Sequence, residues 1–271
     1  MISGDSVNAI LELTYECNFA CPFCYVPWID HPEIRGKELR TEEWKEIIDG
    51  LAKADVASLT FTGGEPLMRD DILELIEYAK KKTNIPRIVI YTNLSRVSDA
   101  FLKVVDDTRV EISTSIQGLN TLSEMSGCER SMDCFREACM RIVQSNARLS
   151  IGVTITKINS YEIENLLHVA DSLSPVAIQI GILMIEGRAR THPELWMSYG
   201  EIVRAHERIE RCRDSIRAKI IVVNELYCAC RHDAVKPDYL PSDFVPEECE
   251  AERAYIVIGP NGVRRKCMHM I

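Results

Sequence analysis

Residues 57–93 read ASLTFTGGEPLMRDDILELIEYAKKKTNIPRIVIYTN. A short apolar run over 57–61 runs into the turn Gly63-Gly64-Glu65-Pro66-Leu67. An amphipathic stretch follows over 70–82, with Ile72, Leu73, Leu75, Ile76 and Ala79 mainly on one face. It closes with Lys80, Lys81 and Lys82, which suit the negative end of a helix dipole. A second apolar run over 87–91 completes the unit. Strand, turn, helix and strand in so short a span make a βαβ unit, whose two strands lie parallel.

The same alternation continues outward. Strands are predicted at 9–13, 57–61, 87–91, 110–116, 149–155 and 176–183, and helices at 41–53, 70–82, 98–105, 132–145 and 161–172. Such strands are two short of a closed eight-fold barrel. The fold class is therefore α/β, read as a partial (β/α)6 TIM-like barrel, with an open doubly wound sheet as the alternative. After about residue 190 the pattern changes to a helix over 199–211, a strand-like 219–223 and a Pro- and Cys-containing loop over 224–250. The end reads as a hairpin, 255–258 and 263–267 around Gly259-Pro260-Asn261-Gly262, whose Asn-Gly pair is a strong turn signal. We expect a barrel over 1–195 and a small cysteine-rich β-hairpin extension over 196–271.

Composition narrows the partners. Of 271 residues 46% are hydrophobic, enough for a sizeable core, and the net charge of −9 opposes binding along a phosphate backbone. Nucleic acid is not an expected partner. The N-terminus lacks a basic segment followed by an apolar run, and no uncharged stretch is long enough to span a bilayer, so no membrane partner is expected and the location is expected to be cytoplasmic. Eleven cysteines in a reducing compartment point to metal ligation rather than disulfides, with the remainder as small buried hydrophobes.

The first cysteines are concentrated: Cys17-Asn18-Phe19-Ala20-Cys21-Pro22-Phe23-Cys24-Tyr25, directly after the first strand. Loops at the C-terminal ends of barrel strands are where active sites form. Three thiolates can hold three irons of a [4Fe–4S] cluster and leave the fourth iron open to another ligand. The alternatives are a zinc site with a distant fourth ligand such as His31, or three unrelated buried thiols.

The spacing Cys-x3-Cys-x-aromatic-Cys, together with Gly63-Gly64-Glu65-Pro66 after the next strand, resembles the radical S-adenosylmethionine (SAM) superfamily. More of residues 7–190 is similar. Thr92-Asn93 ends the third strand, and Ser113-Thr-Ser115-Ile-Gln-Gly118 ends the fourth, with Gln117 where relatives usually carry an acid. The resemblance implies that Cys17, Cys21 and Cys24 hold the cluster and that Gly63, Gly64, Glu65 and Pro66 receive the SAM amino group. It further implies a SAM-lining role for Tyr25, Thr92, Asn93, Ser115, Thr154 and Arg188, and for Ser131 at a helix start suited to the SAM carboxylate. An external donor such as flavodoxin or ferredoxin would supply the electron.

Cys249, the glycine-containing hairpin and Cys267 resemble the start of a SPASM/Twitch extension, which implies one auxiliary [4Fe–4S] cluster. Cys228 and Cys230 would complete it, since alternate residues of an extended segment share a face. His232, His269 or Cys212 could replace one of them, and a zinc knuckle is the alternative. Cys128, near the mouth of the barrel, is a candidate hydrogen donor to a substrate radical, as in radical epimerases. Cys134 and Cys139 are expected to be packing, and Trp28 and Trp196 are either core or closures over a ligand.

The expected function is reductive SAM cleavage to a 5′-deoxyadenosyl radical that takes hydrogen from a small-molecule or peptide substrate, leading to oxidation or another modification. With no peptide-recognition segment before the first strand, a small molecule, or a peptide presented by a separate protein, is slightly favoured. The rivals are an epimerase, and a non-catalytic iron–sulfur or zinc protein.

Overall fold

Which face each strand residue takes decides where the core and the site lie. The computed structural model describes residues 7–29, 31–223 and 254–268. Its strands are β1 (Asn8–Glu12), β2 (Ser58–Thr62), β3 (Arg87–Tyr91), β4 (Glu111–Ser115), β5 (Arg148–Ile155), β6 (Ala177–Ile182), β7 (Lys219–Val223), β8 (Tyr255–Ile258) and β9 (Arg264–Arg265). The helices are α1 (Thr41–Lys53), α2 (Ile72–Lys82), α3 (Asp99–Thr108), α4 (Leu122–Ser126), α5 (Met132–Gln144), α6 (Ile163–Ser172) and α7 (Tyr199–Cys212). One nine-stranded sheet has the order β7-β6-β5-β4-β3-β2-β1-β8-β9. All neighbours are parallel except the β8–β9 pair. The sheet stays open, with β7 and β9 at its edges. The α/β class and the partial barrel hold.

Successive strand residues point to opposite faces. Leu11, Phe61, Ile90, Ile112, Ile151 and Ile180 are fully buried and pack in one core with Trp44, Ile48, Leu75, Phe101 and Leu166 of the helices. Each such side chain contributes roughly 1.5–3 kcal/mol by leaving water. The residues between them form the inner face, away from the helices. Near the strand starts this face carries Arg87 and Arg148 about Glu111, at 2.6 and 3.7 Å. Towards the strand ends it turns small and polar, with Thr62, Ser115, Gly152, Thr154 and Gly181. Room for a ligand is therefore at the C-terminal rim.

The hairpin is not a separate appendage. Strand β8 adds to β1 in parallel register, Asn8 opposite Tyr255 through Leu11 opposite Ile258. The turn is closed by Gly259 N–H donating to the Val263 carbonyl at 2.9 Å, with Gly262 at φ +82°. Strands on both sides of the proposed boundary at residue 195 thus share one sheet. Cys228, Cys230, Cys249, His232 and His269 lie outside the described residues.

Candidate active site

The cysteine loop rises from the end of β1 and is clasped from three sides. On the β2 side, Gly64 N–H donates to Thr14 O at 2.8 Å and Glu65 N–H to Glu16 O at 2.7 Å. A Cβ on Gly64 would sit 1.9 Å from Glu16 O, and Gly63 has φ +131°. After α4, Ala20 N–H donates to Ser126 O at 3.0 Å, and a Cβ on Gly127 would lie 2.1 Å from Ala20 O. After β6, Arg188 N–H donates to Cys24 O at 2.9 Å, and a Cβ on Gly187 would lie 2.2 Å from the same oxygen. Glycines from three different loops thus let neighbouring backbone close on the cysteine loop.

Glu65 has a role the sequence did not disclose. Its carboxylate, 1% exposed, accepts from Thr92 Oγ1 at 2.6 Å, Asn93 N at 2.6 Å and Leu67 N at 3.0 Å. It ties the rim of β2 to that of β3, and burial pushes its pKa up despite these donors.

Arg130 and Phe19 are site residues that sequence reasoning missed. The Arg130 guanidinium lies 5.1 Å from the Phe19 ring centroid and 4.6 Å from that of Phe135. It donates to Asn93 O at 3.1 Å and Ser115 O at 3.4 Å, bridging the ends of β3 and β4. Burial lowers its pKa. A signal was present in an arginine beside Ser131 and an aromatic two residues after Cys17, but neither reveals the stack alone. A cleft of about 330 Å³ is lined by Phe19, Asn93, Arg130, Ser131, Cys134 and Arg141, among others. It brings Asn93 and Ser131 together, while Tyr25, Ser115, Thr154 and Arg188 are not among its lining residues. Ser131 accepts from Asp133 N at 3.2 Å as the N-cap of α5.

Burial raises the Cys17 thiol to about 11 and the Cys21 thiol to about 12, with the neighbouring thiols adding to both. Arg188 opposes the rise at Cys17 and Arg130 at Cys21. Metal loading therefore displaces protons from this loop. Among the described residues no three His, Cys, Asp or Glu side chains converge on a single ion. His31 pairs with Glu33 at 3.0 Å. In a cubane each thiolate binds its own iron. Three thiols on one clasped loop fit the cluster.

Several other residues find their places. Trp28 is 2% exposed and packs edge-on to Tyr15 at 5.4 Å, in an apolar cluster against which Cys24 and Tyr25 of the loop pack. Trp196 donates to Ala189 O at 2.7 Å. Cys139 and Cys212 are core, as is consistent with packing, and Cys212 donates to the α7 carbonyls of Arg208 and Ile209. Cys134 corrects the packing expectation: it is exposed, on the cleft side of the amphipathic α5. Cys128 is half-buried beside Gly127. Thr154 offers its carbonyl to Asn159 Nδ2 at 2.8 Å.

An open parallel barrel with this three-thiol loop at its rim defines a class, and comparison with known families agrees. The radical SAM superfamily pattern matches residues 11–173, and the chain belongs to that superfamily. With its members the chain shares SAM and a [4Fe–4S] cluster as cofactors.

Among individual proteins it is similar to the PqqA peptide cyclase of Bradyrhizobium diazoefficiens, 22% identical over 97% of this chain and 67% of that protein. The PqqA peptide cyclase of Granulibacter bethesdensis is 24% identical over 96% of this chain and 67% of its own length. Among solved structures, Streptococcus suis SuiB bound to the precursor peptide SuiA superposes with a TM-score of 0.73 at 15% identity, covering 97% of this chain. The chain spans 60% of that SuiB chain. No helix among the described residues is long and apolar enough to cross a membrane.

Proposed function

We propose that this chain is a radical SAM enzyme that modifies a peptide. The observation that carries the reading is the cysteine loop held by Gly64, Gly127 and Gly187 at the rim of an open barrel. When bound, the cluster and SAM supply a 5′-deoxyadenosyl radical by one-electron reductive cleavage of the sulfonium, and the radical removes a hydrogen atom from the substrate. The chain's own residues do the rest. Cys17, Cys21 and Cys24 hold three irons, and the Gly63–Pro66 turn with Asn93, Ser131 and Arg130 receives the amino-acid end of SAM. Ser115, Thr154 and Arg188 line the remainder, and the small inner-face residues Gly152 and Gly181 leave room beside it.

A peptide substrate is supported by the printed names of the relatives, which are cyclases of the PqqA peptide or bind a precursor peptide. This outweighs the lean towards a small molecule. Flavodoxin or ferredoxin is the proposed electron donor. Cys267, with Cys228, Cys230 and Cys249, is the proposed ligand set of one auxiliary [4Fe–4S] cluster. Cys267 is 8% exposed and lies near the Arg265 guanidinium, a cation that suits a thiolate ligand. Cys128 is the proposed hydrogen donor if the reaction is an epimerisation.

The test is deuterium transfer. Reconstituted enzyme, reductant and SAM are incubated with perdeuterated precursor peptides, and 5′-deoxyadenosine is analysed by mass spectrometry. Deuterium in the 5′-deoxyadenosine is expected from the true peptide. If peptides never donate deuterium while deuterated small molecules do, the peptide reading is wrong. For Cys128→Ala, an epimerase would still transfer deuterium to 5′-deoxyadenosine but give no inverted product.

A further inference from the structure

Arg130 stands two residues before the start of α5, half-buried, and its guanidinium is held without being neutralised. The Phe19 ring centroid lies 5.1 Å from it and that of Phe135 4.6 Å. Its hydrogen bonds go to two carbonyl oxygens, Asn93 O at 3.1 Å and Ser115 O at 3.4 Å. Among the described residues it forms no salt bridge, whereas Arg141 on the same cleft pairs with Asp99 at 2.5 Å. Ring faces and carbonyls fix a cation in place but leave its charge whole.

That charge faces the cysteine loop. Phe19, which carries the stack, donates its N–H to Cys17 Sγ at 3.4 Å. Cys21 Sγ contacts Ser126 O at 3.7 Å, in the segment that leads to Arg130. Burial lowers the Arg130 pKa; among the charges opposing this Cys21 acts most strongly, ahead of Cys139, Cys128 and Glu65. Cys139 is core, and burial holds its thiol up to about 12, so it brings no charge at neutral pH. Cys21 becomes a thiolate when metal displaces its proton.

We propose that Arg130 raises the reduction potential of the iron–sulfur cluster seated on Cys17, Cys21 and Cys24, easing the one-electron reduction that precedes SAM cleavage. Reduction adds a negative charge to the cluster, and iron–sulfur potentials follow the charge around them, so a fixed cation favours the reduced form. Arg130 acts here through the cluster, as a positioning residue. The inference goes beyond its proposed contact with SAM and rests on the proposed cluster loop.

The test is an EPR-monitored potential titration of the reconstituted full chain without SAM, after iron and sulfide are measured. The signal followed is the one that the Cys17→Ala/Cys21→Ala/Cys24→Ala variant lacks. Arg130→Gln and Arg130→Met remove the charge, while Arg130→Lys keeps it and loses the planar fork. The two neutral variants are expected to be roughly tenfold harder to reduce, a potential about 59 mV lower for one electron. Arg130→Lys should stay near wild type. A merely structural Arg130 would put Arg130→Lys with Arg130→Met, since both lose the same bonds. That grouping, an unmoved potential or a rise in the neutral variants overturns the inference while leaving the cluster. Neutral variants that take up no iron overturn it too, in favour of a role in cluster assembly. If wild type itself lacks the signal, the cluster loop falls and the inference with it.

Discussion

At Gly64 there is no room for a methyl group, because the Glu16 carbonyl occupies that position at 1.9 Å. Gly64→Ala must push the Gly63–Pro66 turn away from the cysteine loop, and we expect a loss of about 2–4 kcal/mol in urea unfolding of the metal-free protein. Gly181→Ala is the control. Nothing lies within 4 Å of a Cβ there, so stability should be unchanged or slightly higher. Equal losses at the two sites would refute the clasp. The thiols of the same loop give a pH signature. Cys17 and Cys21 keep their protons more tightly folded than unfolded, so their contribution is complete below the ordinary thiol pKa and fades as pH climbs through about 11 and about 12. Metal-free Cys17→Ser/Cys21→Ser should therefore lose less stability than wild type between neutral pH and about pH 11. Parallel pH profiles would count against the buried-thiol account.

Helix starts separate a structural cap from a ligand seat. Ser98 caps α3 by accepting from Phe101 N, and Ser131 caps α5 by accepting from Asp133 N. Either serine changed to alanine should cost about 1 kcal/mol of stability. Only Ser131→Ala should also weaken SAM binding, because only Ser131 lines the cleft beside Arg130. Equilibrium dialysis with labelled SAM decides it, and equal affinities in the two variants would remove Ser131 from the site. Elements were largely legible in the sequence because their signals are local. The βαβ unit at 57–93, the lysines closing α2 and the Asn-Gly turn all appear within one stretch of chain. Gly127 and Gly187 were not legible as loop contacts, since their partners Ala20 and Cys24 are far away in sequence. Glu65 was readable as a carboxylate at a strand end, but not as the tie to Thr92 and Asn93. The parallel seat of β8 on β1 was equally hidden, because a hairpin's sequence fixes its turn and not its neighbour.

For the whole molecule, the open sheet sorts its inner face by height. The Arg87–Glu111–Arg148 ion pairs lie at the solvent-exposed strand starts, and small polar residues with the clasped loop form the rim. The central claim is that Cys17, Cys21 and Cys24 carry the group that cleaves SAM. It is tested most directly by anaerobic reconstitution followed by dithionite and SAM, with 5′-deoxyadenosine counted against enzyme. Wild type should form it over multiple turnovers, and the Cys17→Ala/Cys21→Ala/Cys24→Ala variant none above a no-enzyme control. Equal 5′-deoxyadenosine from both, or none from a wild type with its full iron content, would contradict the account.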